Sequence, residues 1–173
     1  MILVDILVGL IIFLSFLGGL KDGAVKAFFS LVGFLIAIPL TGASYHLIAN
    51  LLSFMPGEDW ENFLGFFITL AIIGIILFLI FLLPRKLIQQ AWNEGALFRL
   101  IGGVLNGFNS IIGLVVFSLV LQAYPIWEWL ERIVTGSTVL PWLVAHLSFV
   151  QLMLPQLSQR TMPTVLTKLL LYL

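Results

Sequence analysis

The stretch ENFLGFFITLAIIGIILFLIFLLPR, residues 61–85, contains no charged side chain between Glu61 and Arg85. A helix rises about 1.5 Å per residue, so about 20 apolar residues cross the ~30 Å hydrocarbon core of a bilayer. Three more stretches contain no charged residue, at 6–20, 27–57 and 100–127. The shortest of these reaches the required length when the first residues of the chain are included. The sequence therefore predicts an all-α, polytopic membrane protein.

The composition agrees with this prediction. Hydrophobic residues make up 61% of the 173-residue chain and charged residues 9%, whereas soluble domains carry about 25% charged residues. Such a chain requires the lipid bilayer as its solvent. Its net charge is zero, which gives no reason to expect nucleic acid as a partner. Cysteine is absent, which excludes disulfides and thiol catalysis.

The four apolar runs predict four transmembrane helices, arranged as two hairpins in a bundle that occupies residues 1–123. Their expected limits are about 3–20, 24–44, 61–83 and 99–123. Gly23 supplies the tight turn between the first two helices. Pro39 is expected to kink the second helix, and Pro84 to end the third.

The remaining residues, 124–173, are expected to form an amphipathic, interfacial helical tail. Tyr124, Trp127 and Trp129 are typical of an aromatic belt at the membrane surface. The uncharged segment 139–154 gives only about 24 Å of helix. A helix on the membrane surface is therefore favoured over a fifth crossing.

The basic residues predict the orientation of the chain. Lys and Arg flank the loops between the first two and the last two helices, at Lys21, Lys26, Arg85, Lys86 and Arg99. The loop between the second and third helices, 45–60, contains acidic residues and no Lys or Arg. The positive-inside rule then places the two basic loops in the cytoplasm and both termini outside.

Paired glycines occur twice, 84 residues apart, as Gly19 and Gly23 and as Gly103 and Gly107. Their similarity indicates either an internal duplication with parallel hairpins or chance. The first pair lies at the water boundary, where a turn is the favoured interpretation. The second pair places two glycines on one helix face, where helices can approach closely. Packing within the chain is favoured there over a dimer interface.

Three polar side chains are candidates for a role inside the membrane. Asp5 is either a functional carboxylate or, as we favour, a residue stabilised by the helix dipole and water near a helix end. Asn106 and Asn109 are expected to form hydrogen bonds between helices, with a transport path as the alternative. We expect no catalytic residue, metal or cofactor, because His46 and His146 are isolated and no catalytic motif is present.

Several segments, taken in order, resemble the colicin V production protein family (CvpA). The resemblance begins with the early acid Asp5 and continues through Gly19-Leu20-Lys21-Asp22-Gly23, Ser30-Leu31-Val32-Gly33, Arg99-Leu100-Ile101-Gly102-Gly103 and Ser137-Thr138-Val139-Leu140-Pro141. The chain departs from the family pattern at Leu20, where an aromatic is usual, at Lys21-Asp22, where both residues are basic, and at Asn109-Ser110, where Arg-Gly is usual.

This resemblance implies a multi-pass protein of the bacterial inner membrane. It also implies a part in the production or export of a toxin of the colicin V type, or in envelope function. Such a protein is expected to act through contacts with other envelope proteins or with a second copy of itself, without enzymatic activity. The alternative is a small oligomeric channel or transporter.

Overall fold

The computed structural model describes residues 2–54, 57–91, 95–126, 129 and 136–154. Throughout these residues the regular structure is helical. The helices are α1 (Ile2–Leu51), α2 (Glu58–Ala91), α3 (Ala96–Ala123), α4 (Val139–His146) and α5 (Ser148–Met153). Three of them contain segments long and apolar enough to cross a membrane, at Val4–Leu51, Glu58–Ile88 and Ala96–Ala123. The predicted all-helical membrane class is confirmed.

Helix α1 is divided at Gly23, whose backbone angles of φ 76° and ψ 166° are not helical. We call residues 2–22 the first arm and residues 24–51 the second arm. Val8 of the first arm packs in one cluster with Leu121 of α3. Tyr45 of the second arm contacts Tyr124, just after the end of α3. Both arms therefore extend from Gly23 toward the same end of α3, and the chain reverses its direction at Gly23.

The C-terminal ends of two helices lie well beyond the predicted limits. The second arm continues past residue 44 to Leu51, so residues 45–51 are helical and the loop that follows is shorter. Helix α2 continues through Pro84 to Ala91, so the expectation that Pro84 ends it was wrong. Pro39 also keeps a helical backbone. A proline removes one hydrogen bond, but a helix end near lipid would leave several backbone groups unpaired.

Helix α2 runs antiparallel to the second arm and packs closely against it. A Cβ placed on Gly65 would lie 2.9 Å from backbone atoms of Ala49, and one on Gly33 would lie 3.5 Å from the ring of Phe81. Contacts between α2 and α3 are few by comparison. The second arm is therefore central, and a groove remains between α2 and α3.

The described part of the tail packs against the bundle through apolar side chains. Helices α4 and α5 have 8 and 6 residues and are separated at Leu147, so segment 139–154 is not one continuous helix. Its inward side chains Leu140, Val150 and Leu154 are buried against the bundle. Leu152 is 81% exposed. The predictions for residues 155–173 lie outside the described residues.

The aromatic belt was predicted partly from Tyr124, which the structure buries to 1% exposure. Trp129 is 55% exposed, and Trp127 lies outside the described residues. The hydroxyl of Tyr124 forms a hydrogen bond with the hydroxyl of Tyr45 across the helix interface, whereas a residue of the aromatic belt would contact interfacial water.

The charged residues that the structure describes lie at the two ends of the bundle. The Gly23 turn, the start of α3 and the last part of α2 meet at one end, which we call the basic end. It carries Lys21, Lys26, Arg85, Lys86 and Arg99. The opposite end, the acidic end, carries Asp5, Glu58, Asp59 and Glu61. Among the described residues at the basic end, Asp22 is acidic, and it forms an ion pair with Lys26.

Candidate functional site: the interface of α1 with α3 and α4

Glycine backbones are in direct contact where α1 meets α3 near the basic end. A Cβ on Gly19 would lie 2.3 Å from the carbonyl oxygen of Gly102. A Cβ on Gly102 would lie 2.5 Å from the carbonyl carbon of Gly23 and 2.6 Å from the carbonyl oxygen of Gly19. Side chains do not approach backbone atoms this closely, so the crossing requires glycine at Gly19 and Gly102. Gly23 is required for a second reason, since its positive φ is strained for any residue with a side chain.

Gly103 and Gly107 lie on the same interface but in different packing environments. A Cβ on Gly103 would lie 2.9 Å from the ring of Phe16 and 3.0 Å from Leu20. At Gly107 the nearest atom, Cβ of Phe16, is 3.9 Å away, which is an ordinary contact. The tightest approach therefore involves Gly102, which precedes the glycine pair singled out from the sequence.

The two asparagines of α3 bind different arms of α1. Nδ2 of Asn106 donates a 2.7 Å hydrogen bond to the backbone carbonyl of Ser15 on the first arm. Nδ2 of Asn109 lies 3.4 Å from the Ser30 hydroxyl on the second arm. The amides thus connect α3 to both sides of the Gly23 turn. The Asn109 carbonyl oxygen Oδ1 is buried and has no hydrogen-bond partner among the described residues.

Asp5 lies at the acidic end and binds the segment that starts α4. Its Oδ1 accepts a 2.5 Å hydrogen bond from the Ser137 hydroxyl, and its carboxylate faces the backbone N–H groups of Thr138 and Val139 at 3.2–3.4 Å. The Ser137 oxygen accepts in turn from the N–H of Leu140 at 3.1 Å. The first N–H groups of a helix lack partners within it and favour a negative charge. Asp5 therefore anchors α4 to α1 and stabilises its N-terminus.

Tyr45 and Tyr124 form a further polar contact that sequence analysis did not identify. Their hydroxyl oxygens are 2.5 Å apart, and both residues are 1% exposed. The ring of Phe66 on α2 lies 5.9 Å from that of Tyr45, measured between centroids. The pair joins the second arm to the end of α3. Its two members are far apart in the chain and neither lies in a motif, so the sequence contains no signal for the pairing.

The two glycine pairs that suggested an internal repeat adopt different structures. In the first pair, Gly23 forms the positive-φ turn. In the second pair, Gly103 and Gly107 both lie within the continuous helix α3. Three contacts across the interface instead connect separate parts of the sequence. Gly19 and Gly23 meet Gly102, Ser30 meets Asn109, and Asp5 meets Ser137.

These helices, with their apolar outer faces and close glycine crossing, define a helical membrane protein whose α3 is bound to both arms of α1. The chain belongs to the family described as colicin V production protein, whose family model matches residues 4–148. No curated protein and no solved structure matches the chain. Two elements of the resemblance to this family are the early acid, Asp5, and the Ser-x-x-x-Pro element that begins at Ser137. The structure joins them in one hydrogen-bonded cluster.

Proposed function

We propose that this protein crosses the bacterial inner membrane four times, as two hairpins, with both termini outside. The reversal at Gly23 supports the first hairpin, since the two arms of α1 have 21 and 28 residues and each is long enough to span. Among the described residues, Lys and Arg lie at one end of the bundle, which supports a cytoplasmic position for that end.

Labelling of single cysteines in intact cells tests this topology, because the chain has no cysteine of its own. The matched pair is Asp22→Cys at the basic end and Glu58→Cys at the acidic end. A reagent that cannot cross the membrane should label position 58 and leave position 22 unlabelled until the cells are permeabilised. Labelling of position 22 alone would reverse the proposed orientation.

We further propose that the protein is a non-enzymatic helper that acts through contacts with other envelope proteins. The process would be production or export of a toxin of the colicin V type, or envelope function more broadly, and membership of the family supports this choice. The observation that carries the proposal is the engagement of Asn106 and Asn109 by the two arms of α1. Amides that form hydrogen bonds between helices hold those helices together, which supports the helper over a solute path.

A small oligomeric channel or transporter is the second candidate. One observation favours it, since the buried Oδ1 of Asn109 lacks a partner among the described residues and Asn109 borders the groove between α2 and α3. A water-filled groove in an oligomer would place that oxygen beside a moving solute.

Flux measurements in liposomes, combined with in-cell crosslinking, distinguish the two functions. We expect no flux of ions or small osmolytes through the purified protein, and crosslinks to envelope proteins in cells. Asn106→Leu should cost only the ~0.6 kcal/mol typical of an interhelical hydrogen bond in membranes, and at most about 1.7 kcal/mol. Robust wild-type flux that Asn106→Leu abolishes without loss of stability would refute the helper function and establish the transporter.

A further inference from the structure

The groove between α2, the second arm and α3 has a volume of about 480 Å³. This lies within the range of about 300–1,000 Å³ found for small-molecule sites. Along α2 its lining extends from Phe67 to Arg85. Eighteen residues of helix correspond to about 27 Å, which is most of the ~30 Å hydrocarbon core. An occupant that fills this groove along its length must therefore be long and lie mainly within the membrane.

Small residues give the groove its depth, and aromatic rings form its walls. Gly33, Ala37, Ala71 and Gly74 line it. A Cβ on Gly74 would meet no atom within 4 Å, so the space beside this glycine is open. The remaining walls are almost entirely apolar, formed by Phe29, Phe34, Phe67, Leu70, Leu77 and Phe81. Such a surface accepts a hydrocarbon chain and offers little to a hydrated solute.

Two cationic side chains line the groove at the basic end. Lys26 forms an ion pair with Asp22. Arg85 lies with its guanidinium 5.9 Å from the centroid of the Phe78 ring. Within the described ranges Arg85 has no carboxylate partner. A guanidinium binds a phosphate through two parallel hydrogen bonds. The groove therefore combines an anion site at its mouth with an apolar channel behind it.

This combination matches one class of molecule that the bilayer itself supplies. Basic pockets between transmembrane helices bind the head groups of anionic lipids. The few contacts between α2 and α3 leave the groove open sideways toward lipid. We propose that the groove binds one anionic phospholipid, with its phosphate at Arg85 and Lys26 and one acyl chain beside Gly74. The site requires membrane insertion only, and a lipid bound in the groove would occupy the solute path of the second candidate function.

Native mass spectrometry of the purified protein, titrated with dioleoyl phosphatidylglycerol, tests this site. Dioleoyl phosphatidylcholine provides the same acyl chains without net charge. We expect one phosphatidylglycerol per chain to bind at least fivefold more tightly than phosphatidylcholine. Inorganic phosphate in excess should not displace it, because the acyl chain contributes most of the contact. Equal binding of the two lipids, or displacement by phosphate alone, would overturn the proposal.

Two pairs of variants locate the lipid within the groove. Arg85→Gln should weaken phosphatidylglycerol binding about fivefold, the effect of one interfacial cation. Lys86→Gln removes the same charge from the next, exposed residue, which does not line the groove, and should change binding little. Gly74→Phe should fill the channel and reduce binding of both lipids, whereas Ile76→Phe on the outer face should not. The proposed site is wrong if Arg85→Gln binds phosphatidylglycerol as tightly as the wild type does. It is also wrong if the two variants within each pair bind lipid equally.

Discussion

The replacement of Gly102 by alanine is the most direct test of the α1–α3 crossing. The added methyl group would lie 2.5 Å and 2.6 Å from backbone atoms of Gly23 and Gly19. Favourable carbon–carbon contacts begin near 3.5 Å, so the helices would have to separate by roughly 1 Å. The obstructing atoms belong to the backbone and cannot rotate away. We therefore expect the full cost of an overpacked interior, about 1–3 kcal/mol.

Gly107→Ala is the matched control on the same helix. Both variants gain the same advantage in helix propensity, about 0.5–1 kcal/mol, so this contribution cancels in the comparison. The new methyl at Gly107 would meet its nearest neighbour at 3.9 Å and cause no clash. Gly102→Ala should thus be less stable than Gly107→Ala by about 1–3 kcal/mol, roughly a 5- to 140-fold difference in the unfolding constant.

Equilibrium unfolding in dodecylmaltoside with increasing sodium dodecyl sulfate measures this difference. Helix content by circular dichroism and the fluorescence of the five tryptophans provide two independent probes of the same transition. Coincident unfolding midpoints for the two variants would show that the glycine contact does not limit the approach of the helices. The assigned crossing point would then be incorrect.

Substitutions at three further places test other contacts. Gly23→Ala should destabilise the turn by about 1–3 kcal/mol, because its positive φ is strained for alanine; an unchanged unfolding midpoint in the same assay would contradict this. Ser137→Ala should accelerate hydrogen exchange at the first amides of α4 and cost about 1 kcal/mol. The same change made together with Asp5→Asn should cost less than the sum of the two, and strict additivity would show that the groups act independently. Gly65→Ala should loosen α2 from the second arm, since its Cβ would lie 2.9 Å from Ala49, and stability equal to the wild type would argue against that contact.

The sequence predicted the helices better than it predicted their ends. An uncharged run shows where a helix can cross, because charges are costly in lipid. It does not show where the helix stops in water, and α2 accordingly continues beyond Pro84. The same distinction applies to the second arm, which extends past residue 44 to Leu51.

The residues of the candidate site could be predicted in part from the sequence, but the contacts between them could not. Glycines at Gly19, Gly23 and Gly103 were identified from their spacing, and all lie on the α1–α3 interface. The closest contact nevertheless involves Gly102, and neighbouring helix positions differ by about 100° around the axis. The rotation of α3 about its axis, relative to α1, depends on packing over the whole interface. The spacing of glycines in the sequence does not determine this rotation. The partnership of Asp5 with Ser137 was missed for a similar reason, since the two lie 132 positions apart.

That separation also sets an order of events during biosynthesis. At about 5–20 residues per second, Ser137 is synthesised roughly 7–26 s after Asp5. During this interval the carboxylate of Asp5 has only water at the membrane surface to solvate it. The hydrogen bond can form only after α3 has been made and has placed the segment that follows it beside the start of the chain. Formation of this contact therefore marks the completion of the bundle. In a chain truncated before residue 137, the carboxylate of Asp5 would have water alone as its partner.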